Sequence, residues 1–302
     1  MRIGTLQLFR QGVNSILDQQ SALAKTQLQL SSGKRINTAA DDPTGAAQLL
    51  GLSESTKLTE QFQLNIQTLQ ANLPLEDSVL GSVVNNLQRA KELAIQGLND
   101  SNNSADRDAI AKEIRQITDD VLGLANRKNS NGEYLFGGFQ GNTVPFAHDG
   151  VGNFAYAGDQ GQRNIQIGPN RQVANGDSGL EVFLKVPDAS GLTPFEDLFT
   201  TLYTLASDLE ADAPNAQSLD QLDNAVEHIV GFQATIGARL NAIDNQSQVN
   251  DSLLLQVAET RSQIEDLDLV SAAAKLSQQT GILQAAQQAF VRVQNLNLFN
   301  FL

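Results

Sequence analysis

The chain has 302 residues with no cysteine and no tryptophan, and aromatic residues make up only 5% of it. The lack of cysteine excludes disulfides and any site built on a thiolate. The formal net charge of −14 is unevenly spread, because residues 1–40 and 269–302 together carry +6 and residues 41–268 therefore carry −20. An acidic middle opposes general nucleic-acid binding, and the few basic residues of the ends are too sparse for a basic patch.

The first 30 residues carry the pattern of a coiled-coil helix. Positions 6, 9, 13, 16, 20, 23, 27 and 30 alternate three and four residues apart, and six of the eight are apolar. Gln20 and Gln27 are polar interruptions of the kind that can fix register. One buried face of an ordinary globular helix remains the alternative. The residues of this helix that we expect in an assembly interface are Leu6, Phe9, Val13, Ile16, Leu23 and Leu30.

A polar break follows this helix and predicts a joint between two long helices. The serines after Leu30 and Gly33 disfavour a continued helix, and Asp42 with Pro43 has the chemistry of an N-cap followed by the first helical residue. A cap is a better interpretation of Asp41 and Asp42 than a metal or acid–base site, because no partner carboxylate or histidine lies nearby. The residues expected to form the joint are Ser31, Ser32, Gly33, Lys34, Arg35, Asp41, Asp42 and Pro43.

The next segments predict two further helices that fold back on each other. A helical pattern runs from Gly45 to about Leu98 in one heptad phase on both sides of Pro74, which favours a kink within one long helix. A polar turn over 99–106 follows, with Ser104 as the expected N-cap of the next helix. We expect that helix to pack antiparallel on the one before it.

Residues 131–191 contain 12 of the 23 glycines and change the character of the chain. Short runs at 154–156, 164–167 and 182–186 predict strands in a small antiparallel insert. Past the insert, Pro194 is expected to open a short helix, and Ser218 is expected to cap a long heptad helix over 219–264.

The heptad phase slips by one residue past Asp268, which predicts a boundary and a separate C-terminal helix. This helix and the first one are similar in length and almost free of acidic residues, so we expect the two ends to form one helical hairpin. The residues of the last helix expected in the assembly interface are Leu276, Leu283, Phe290 and Val293.

The predicted fold class is mainly α and elongated, with a small glycine-rich β insert that makes it α+β overall. We expect three domains. Residues 1–44 with 268–302 form a terminal coiled-coil domain that includes the joint, residues 45–130 with 192–267 form a helical rod, and residues 131–191 form the β-rich outer insert. The joint would set the angle between the inner and outer domains.

Several segments resemble a known family. The sequence LQLSSGKRINTAADDPTGAA at 28–47 is similar to the N-terminal signature of bacterial flagellins and of the flagellin-like proteins at the junction of hook and filament. The opening MRIGTLQLFRQGV, the motif NGEYLFGG at 131–138 and the ending NLNLFNFL resemble the junction proteins of hook-associated type more than flagellin.

This resemblance implies a structural protein of the bacterial flagellum that forms a ring or tube layer with copies of itself. The implied partners are another hook-associated protein, flagellin, and a cytoplasmic export chaperone on the C-terminal segment. The implied location is extracellular, reached through flagellar type III export. This fits an N-terminus without the apolar segment of a cleaved signal peptide and a chain without an apolar run of membrane-spanning length.

Three alternatives compete with this interpretation. An enzyme is disfavoured, because His148 and His228 are the only histidines and neither lies in a zinc-protease, nucleophile-elbow or P-loop motif. We expect no catalytic residue, metal or cofactor. Flagellin itself shares the architecture and the joint. A non-flagellar coiled-coil adaptor in the cytosol is disfavoured by the matched, nearly uncharged ends.

Overall fold

The computed structural model describes residues 2–296 and the side chains of residue 7 and residues 9–292. It is mainly helical with a small β part, which confirms the predicted fold class. The closing NLNLFNFL motif and the side chains of Leu6 and Val293 lie outside the described part. The helices are α1 Arg2–Ser32, α2 Pro43–Gly97, α3 Ser104–Ala125, α4 Leu198–Glu210, α5 Gln217–Glu265 and α6 Leu269–Leu296.

The chain divides into two compact units. We call Met1–Leu58 with Ser252–Leu302 the terminal unit, and Thr59–Asp251 the central unit. The predicted division into three domains stays a prediction. None of the helices in the described part is long and apolar enough to cross a membrane.

The central unit is built around one apolar core that its helices share. Helix α2 continues through Pro74 without interruption, as predicted, and Leu69, Leu73 and Leu80 on both sides of the proline are fully buried. Because their heptad spacing keeps these leucines on one face, the helix buries a continuous stripe despite the lost hydrogen bond at the proline. The core also takes in Ile114 of α3 and other residues of α4 and α5.

Helix α3 folds back antiparallel on α2, as the sequence predicts. The Arg89 guanidinium of α2 donates to Glu113 of α3, and Arg107 near the start of α3 donates to the carbonyl of Gly97 at the end of α2. The predicted N-cap at Ser104 is wrong, because the cap is Asn103. Its side chain accepts from the backbone N–H of Asp106, whose carboxylate accepts from the N–H of Asn103 in return.

The glycine-rich insert contains short antiparallel strand pairs. The strands are β1 Phe146–His148 with β2 Phe154–Tyr156, β3 Asn164–Gly168 with β4 Arg171–Ala174, and β5 Val186–Pro187 with β6 Phe195–Glu196. The predicted strands at 154–156 and 164–167 are confirmed, and β1 and β4 were not predicted.

The predicted strand at 182–186 is wrong. Residues Leu180–Leu184 form a turn of π-helix instead, and Val182 and Phe183 on it are fully buried. The Phe183 ring packs edge-on against Phe136, with ring centroids 5.0 Å apart. A short apolar run has no periodicity that separates a buried strand from a buried helical turn, so the tertiary packing of Phe183 decides.

Two helix starts also differ from the predicted positions. Helix α4 begins at Leu198 rather than at Pro194, because the Asp197 carboxylate accepts from the N–H of Phe199 and caps the helix. Phe195 therefore lies in β6, where half of its surface is exposed. Helix α5 begins at Gln217, so Ser218 is already inside the helix and does not cap it.

The cap of α3 provides a stability test. We expect Asn103→Ala to lower the free energy of unfolding by about 1 kcal/mol, because the hydrogen bond that the Asn103 side chain accepts from the N–H of Asp106 is lost. Ser104→Ala is the matched control and should change stability by only a few tenths of that amount. Urea unfolding followed by circular dichroism measures both. Equal effects of the two substitutions would contradict the assignment of the cap.

Candidate assembly interface

The two terminal helices form an antiparallel hairpin within the terminal unit. Phe9 of α1 packs against Phe290 of α6, with ring centroids 5.1 Å apart. Further along, the Gln19 side chain donates to the carbonyl of Gln279 at 3.5 Å. The two contacts run in opposite directions along the two helices, so the predicted pairing of the chain ends is confirmed.

The face of α1 that enters the hairpin includes the predicted apolar positions, but its polar positions differ from the predicted ones. Gln20 and Gln27 are exposed, so their prediction as polar positions of the seam is wrong. The polar positions that turn inward are Gln19 and Thr26, one residue earlier in each case. Thr26 is only 3% exposed, and its hydroxyl donates to the carbonyl of Ala22, which satisfies it inside the seam.

Gly12 is the point of closest approach in this seam. A Cβ atom at this position would lie only 2.9 Å from the Phe290 ring. The missing side chain therefore lets α6 approach α1 closely at Phe290. A pattern that counts only apolar residues gives glycine no role, so it misses this contact.

The predicted interface residues have mixed exposure. Seven of them are half-buried in the hairpin, and Phe9 is 45% exposed. The structure also exposes large apolar residues that were not predicted, because their exposure depends on which face of each helix the partner covers. The half-buried residues are Val13, Ile16, Leu23, Leu30, Leu276, Leu283 and Phe290, and the additional exposed ones are Leu17, Leu28, Leu269, Val270, Ile282 and Val291.

The joint is held by backbone hydrogen bonds to the segment between α5 and α6. The N–H of Arg35 donates to the carbonyl of Glu265 at 2.6 Å, and the N–H of Leu267 donates to the carbonyl of Gly33 at 3.0 Å. Gly33 has a φ of +70°, which other residues rarely adopt, and it turns the chain out of α1 at this point. The two breaks in the helices therefore form one hydrogen-bonded bridge.

Charged side chains reinforce this bridge. The Glu265 carboxylate accepts from Arg261 at 2.6 Å and also pairs with the Lys34 ammonium. The hydrogen bond from Arg261, followed by the one from Lys34, holds the pKa of Glu265 below its ordinary value. The Arg35 guanidinium donates to the carbonyl of Ile264 at 2.6 Å. Lys34 and Arg35 thus bind one short stretch of the α5 terminus from two sides.

The two aspartates of the joint have different roles. Asp42 accepts from the N–H of Gly45 at 2.9 Å and Pro43 is the first residue of α2, so the predicted cap is confirmed at this residue. Asp41 does not cap the helix. It accepts from the N–H of Thr38 at 2.9 Å and pairs with the Lys25 ammonium of α1 at 2.7 Å. The Lys25 interaction is the main reason that the pKa of Asp41 lies well below its usual range.

The sequence predicted where α6 starts, but not the residue that caps it. Asp268 accepts from the N–H groups of Val270 at 3.0 Å and Ser271 at 3.1 Å, so it caps α6. The phase slip marks the boundary without identifying this carboxylate. Glu265 and Asp266 were also not predicted, since nothing local in the sequence shows that they face residues 33–35.

The chemistry of the joint is that of hydrogen bonds and ion pairs. Across the part of the chain that the structure describes, no group of three acidic or histidine side chains is placed to hold a metal ion. The carboxylates of Asp41, Asp42 and Glu265 are each engaged by protein donors. The site is suited to fixing the path of the backbone.

Comparisons with known proteins agree with this architecture. A family model described as the bacterial flagellin N-terminal helical region matches residues 3–141. Flagellar hook-associated protein 3 of Escherichia coli (strain K12) is 28% identical over 99% of this chain and 99% of its own length. The flagellar junction protein FlgL from Legionella pneumophila shares the fold, with a TM-score of 0.63 and 22% identity over 72% of this chain and 100% of that one.

The chain is FlgL-like: it is similar to hook-associated protein 3 over nearly its whole length, it shares the fold of FlgL, and its residues 3–141 match the flagellin N-terminal region. Flagellins are more distant relatives. Flagellin of Bacillus subtilis (strain 168) is 27% identical over 91% of this chain and 90% of its own length. The segment that the family model matches includes nearly all of α1 and the N-terminal part of the joint.

Glu265 provides a test of the joint. We expect Glu265→Gln to accelerate tryptic cleavage after Lys34 and Arg35 several-fold, because the neutral amide no longer holds the Lys34 ammonium and the bridge opens more often. Glu259→Gln, an exposed glutamate on the same helix, is the matched control and should leave the rate unchanged. Equal cleavage rates in all three proteins would show that the ion pairs do not restrain the joint.

Proposed function

We propose that this protein forms the junction layer between a hook-associated protein of the flagellar hook and the flagellin filament. The observation that carries this proposal is the likeness to hook-associated protein 3 over 99% of both chains, against a shorter match to flagellin. The role is structural, and we propose that the protein has no enzymatic activity and takes no cofactor.

Assembly is proposed to proceed through the terminal hairpin. An isolated helix of about 30 residues is marginal in water, and α1 and α6 bury only part of each other's apolar surface. Burying an exposed leucine, isoleucine or valine contributes about 1.5 to 3 kcal/mol per side chain. Covering several such residues by neighbouring copies offsets the cost of ordering the hairpin. Folding of the chain ends is therefore coupled to assembly of the layer.

The proposed interface combines the predicted residues with the exposed ones that the structure adds. Leu17 and Leu28 lie eleven residues apart on α1, so they share one face of the helix, and both are more than half exposed. On α6, Val270 is 82% exposed and Ile282 is 47% exposed. Few charged residues lie on either helix, so a neighbouring copy can cover these faces with little desolvation cost.

The remaining assignments follow from the family. We propose flagellin and a second hook-associated protein as neighbours, and a cytoplasmic export chaperone as the partner that covers the C-terminal segment before assembly. The protein would leave the cell through the flagellar export apparatus without signal cleavage. We also propose that the joint, Ser31–Pro43, fixes the connection between the terminal domain and the helical rod, and that the 131–191 insert faces solvent.

A flagellin is the second candidate function for this protein. The abundance of the protein in purified flagella separates the two candidates. We expect this protein to be a trace component of sheared, purified flagella, because a junction layer contains few copies while a filament contains thousands. Quantitative mass spectrometry against the flagellin of the same sample measures the ratio. A strain that lacks this gene should carry hooks without filaments and release flagellin into the medium. A protein that dominates the filament mass would instead be a flagellin.

Truncation tests the role of the chain ends. We expect a chain lacking residues 2–30 to be unable to restore filaments in the deletion strain, because α6 loses its partner and the layer loses one of its two helices. The central unit has its own core, so the truncated protein should retain cooperative thermal unfolding. Undiminished assembly without residues 2–30 would refute coupled folding and assembly.

A sharper variant keeps the full chain. The double substitution of Leu17 and Leu28 by aspartate places two charges on the exposed face of α1, and we expect it to reduce filament attachment at least tenfold. Leu192→Asp is the matched control, since Leu192 is 87% exposed and belongs to the central unit rather than to either terminal helix. Equal motility of the double variant and the control would exclude this face as a contact.

A further inference from the structure

Two carboxylic acids lie side by side in the interior of the central unit. Glu76 of α2 is 1% exposed, and Asp177, in the loop after β4, is 5% exposed. The backbone N–H of Asp177 donates to the Glu76 carboxyl at 2.9 Å. Two neighbouring buried carboxylates repel each other strongly unless one of them is protonated.

Asp177 is paired with a cation of α5. The Arg239 guanidinium of α5 donates to both carboxylate oxygens of Asp177, at 2.8 Å each, and the Gln162 amide adds a third bond at 2.7 Å. Glu76 receives one backbone N–H from the same loop. Burial, followed by the charge of Asp177, raises the pKa of Glu76 to about 8. The acid of the pair that carries the proton is therefore Glu76.

The loop that carries Asp177 fastens the insert to the helices. We call residues 175–179 the latch loop. Its Asn175 side chain accepts from Asn72 of α2 at 3.0 Å, its Ser178 hydroxyl donates to the carbonyl of Asp159 at 2.7 Å, and its Gly179 N–H donates to the carbonyl of Phe136. A change at Glu76 thus acts on a loop that ties several parts of the insert together.

A cavity lies on the Asp177 side of this cluster. Its volume is about 40 Å³, which is enough for one or two water molecules, and Glu76 does not line it. An ionised Glu76 could be hydrated only if the latch loop moved away from α2. The charged and titratable groups around Glu76 and the cavity are Asp77, Glu133, Tyr134, Arg163, Asp177 and Arg239.

We propose that Glu76, held neutral between α2 and the latch loop, is a proton-dependent latch that keeps the insert closed on the helices of the central unit. With its proton, Glu76 accepts from Asp177 without charge repulsion. Without it, two carboxylates share one guanidinium, and the latch loop opens to hydrate Glu76. This device does not depend on the flagellar role of the protein.

The direction of the pH response follows from linkage. The closed state keeps the proton of Glu76 up to about pH 8, whereas an exposed glutamate releases it near pH 4.5. The latch is therefore strongest below pH 4.5, weakens as the pH rises toward 8, and changes little above that value. Opening then increases by up to about tenfold per pH unit within this window.

Hydrogen exchange on the full chain tests the latch. After correction for the intrinsic exchange rate, protection of the Asp177 and Gly179 amides should fall at least about thirtyfold between pH 5 and pH 8. Glu76→Gln, which keeps the shape and stays neutral, should show pH-independent protection. Glu60→Gln, an exposed glutamate on the same helix, should behave like the unsubstituted protein. Constant protection in the unsubstituted protein, or unchanged pH dependence in Glu76→Gln, would overturn the proposal.

A second measurement does not depend on whether a variant folds. Carboxyl carbon NMR of the unsubstituted protein should show a glutamate that titrates above pH 7, assigned by its absence from the spectrum of Glu76→Gln or, if that variant does not fold, by through-bond correlation. A Glu76 midpoint below pH 5 would show that the acid is ionised in the closed state, and the latch would be excluded.

Discussion

The close approach of α1 and α6 is the contact on which the terminal unit depends. These helices lie at opposite ends of the sequence, and neither has enough apolar surface in one stripe to be stable alone. Gly12 against Phe290 lets the two backbones meet, and the joint with Glu265 closes the other end of the hairpin. With both ends fixed, the register of the seam between them has little freedom. The apolar residues that remain outside the seam are then available to neighbouring copies.

The joint fixes one end of the hairpin with few residues, because its hydrogen bonds satisfy backbone groups at two helix ends at once. A helix terminus leaves backbone groups without partners. At the joint the N–H of Arg35 uses the carbonyl of Glu265, and the carbonyl of Gly33 takes the N–H of Leu267. Asp42 and Asp268 each cap a helix that begins there. In the sequence, the polar residues of the break indicate only a loop. In the structure they provide complementary hydrogen-bonding groups for the two helix ends.

The sequence could predict which segments are helical and which helices pair, because apolar periodicity and the matched, acid-poor ends reflect burial directly. It could predict the Asp42 cap because the residues that form this cap are close together in the sequence. It failed where a distant contact decides. Glu265 interacts with Lys34 across more than 200 residues, and the close contact of α1 with Phe290 depends on a missing side chain at Gly12. The π-helical turn at Phe183 depends on rings that lie elsewhere in the chain.

The two units place their buried or half-buried glutamates in opposite electrostatic settings. Glu265 lies between two cations, which favour its charged form, so the pairing that it provides weakens as the pH falls. Glu76 is deeply buried and lies against the carboxylate of Asp177, which Arg239 already engages, so its contribution weakens as the pH rises. One residue type therefore gives the joint and the central unit opposite responses to pH. The difference comes from Arg261 and Lys34 in one case and, in the other, from the burial of Glu76 first and the charge of Asp177 second, because these surroundings decide whether the carboxyl group is more stable with its proton or without it.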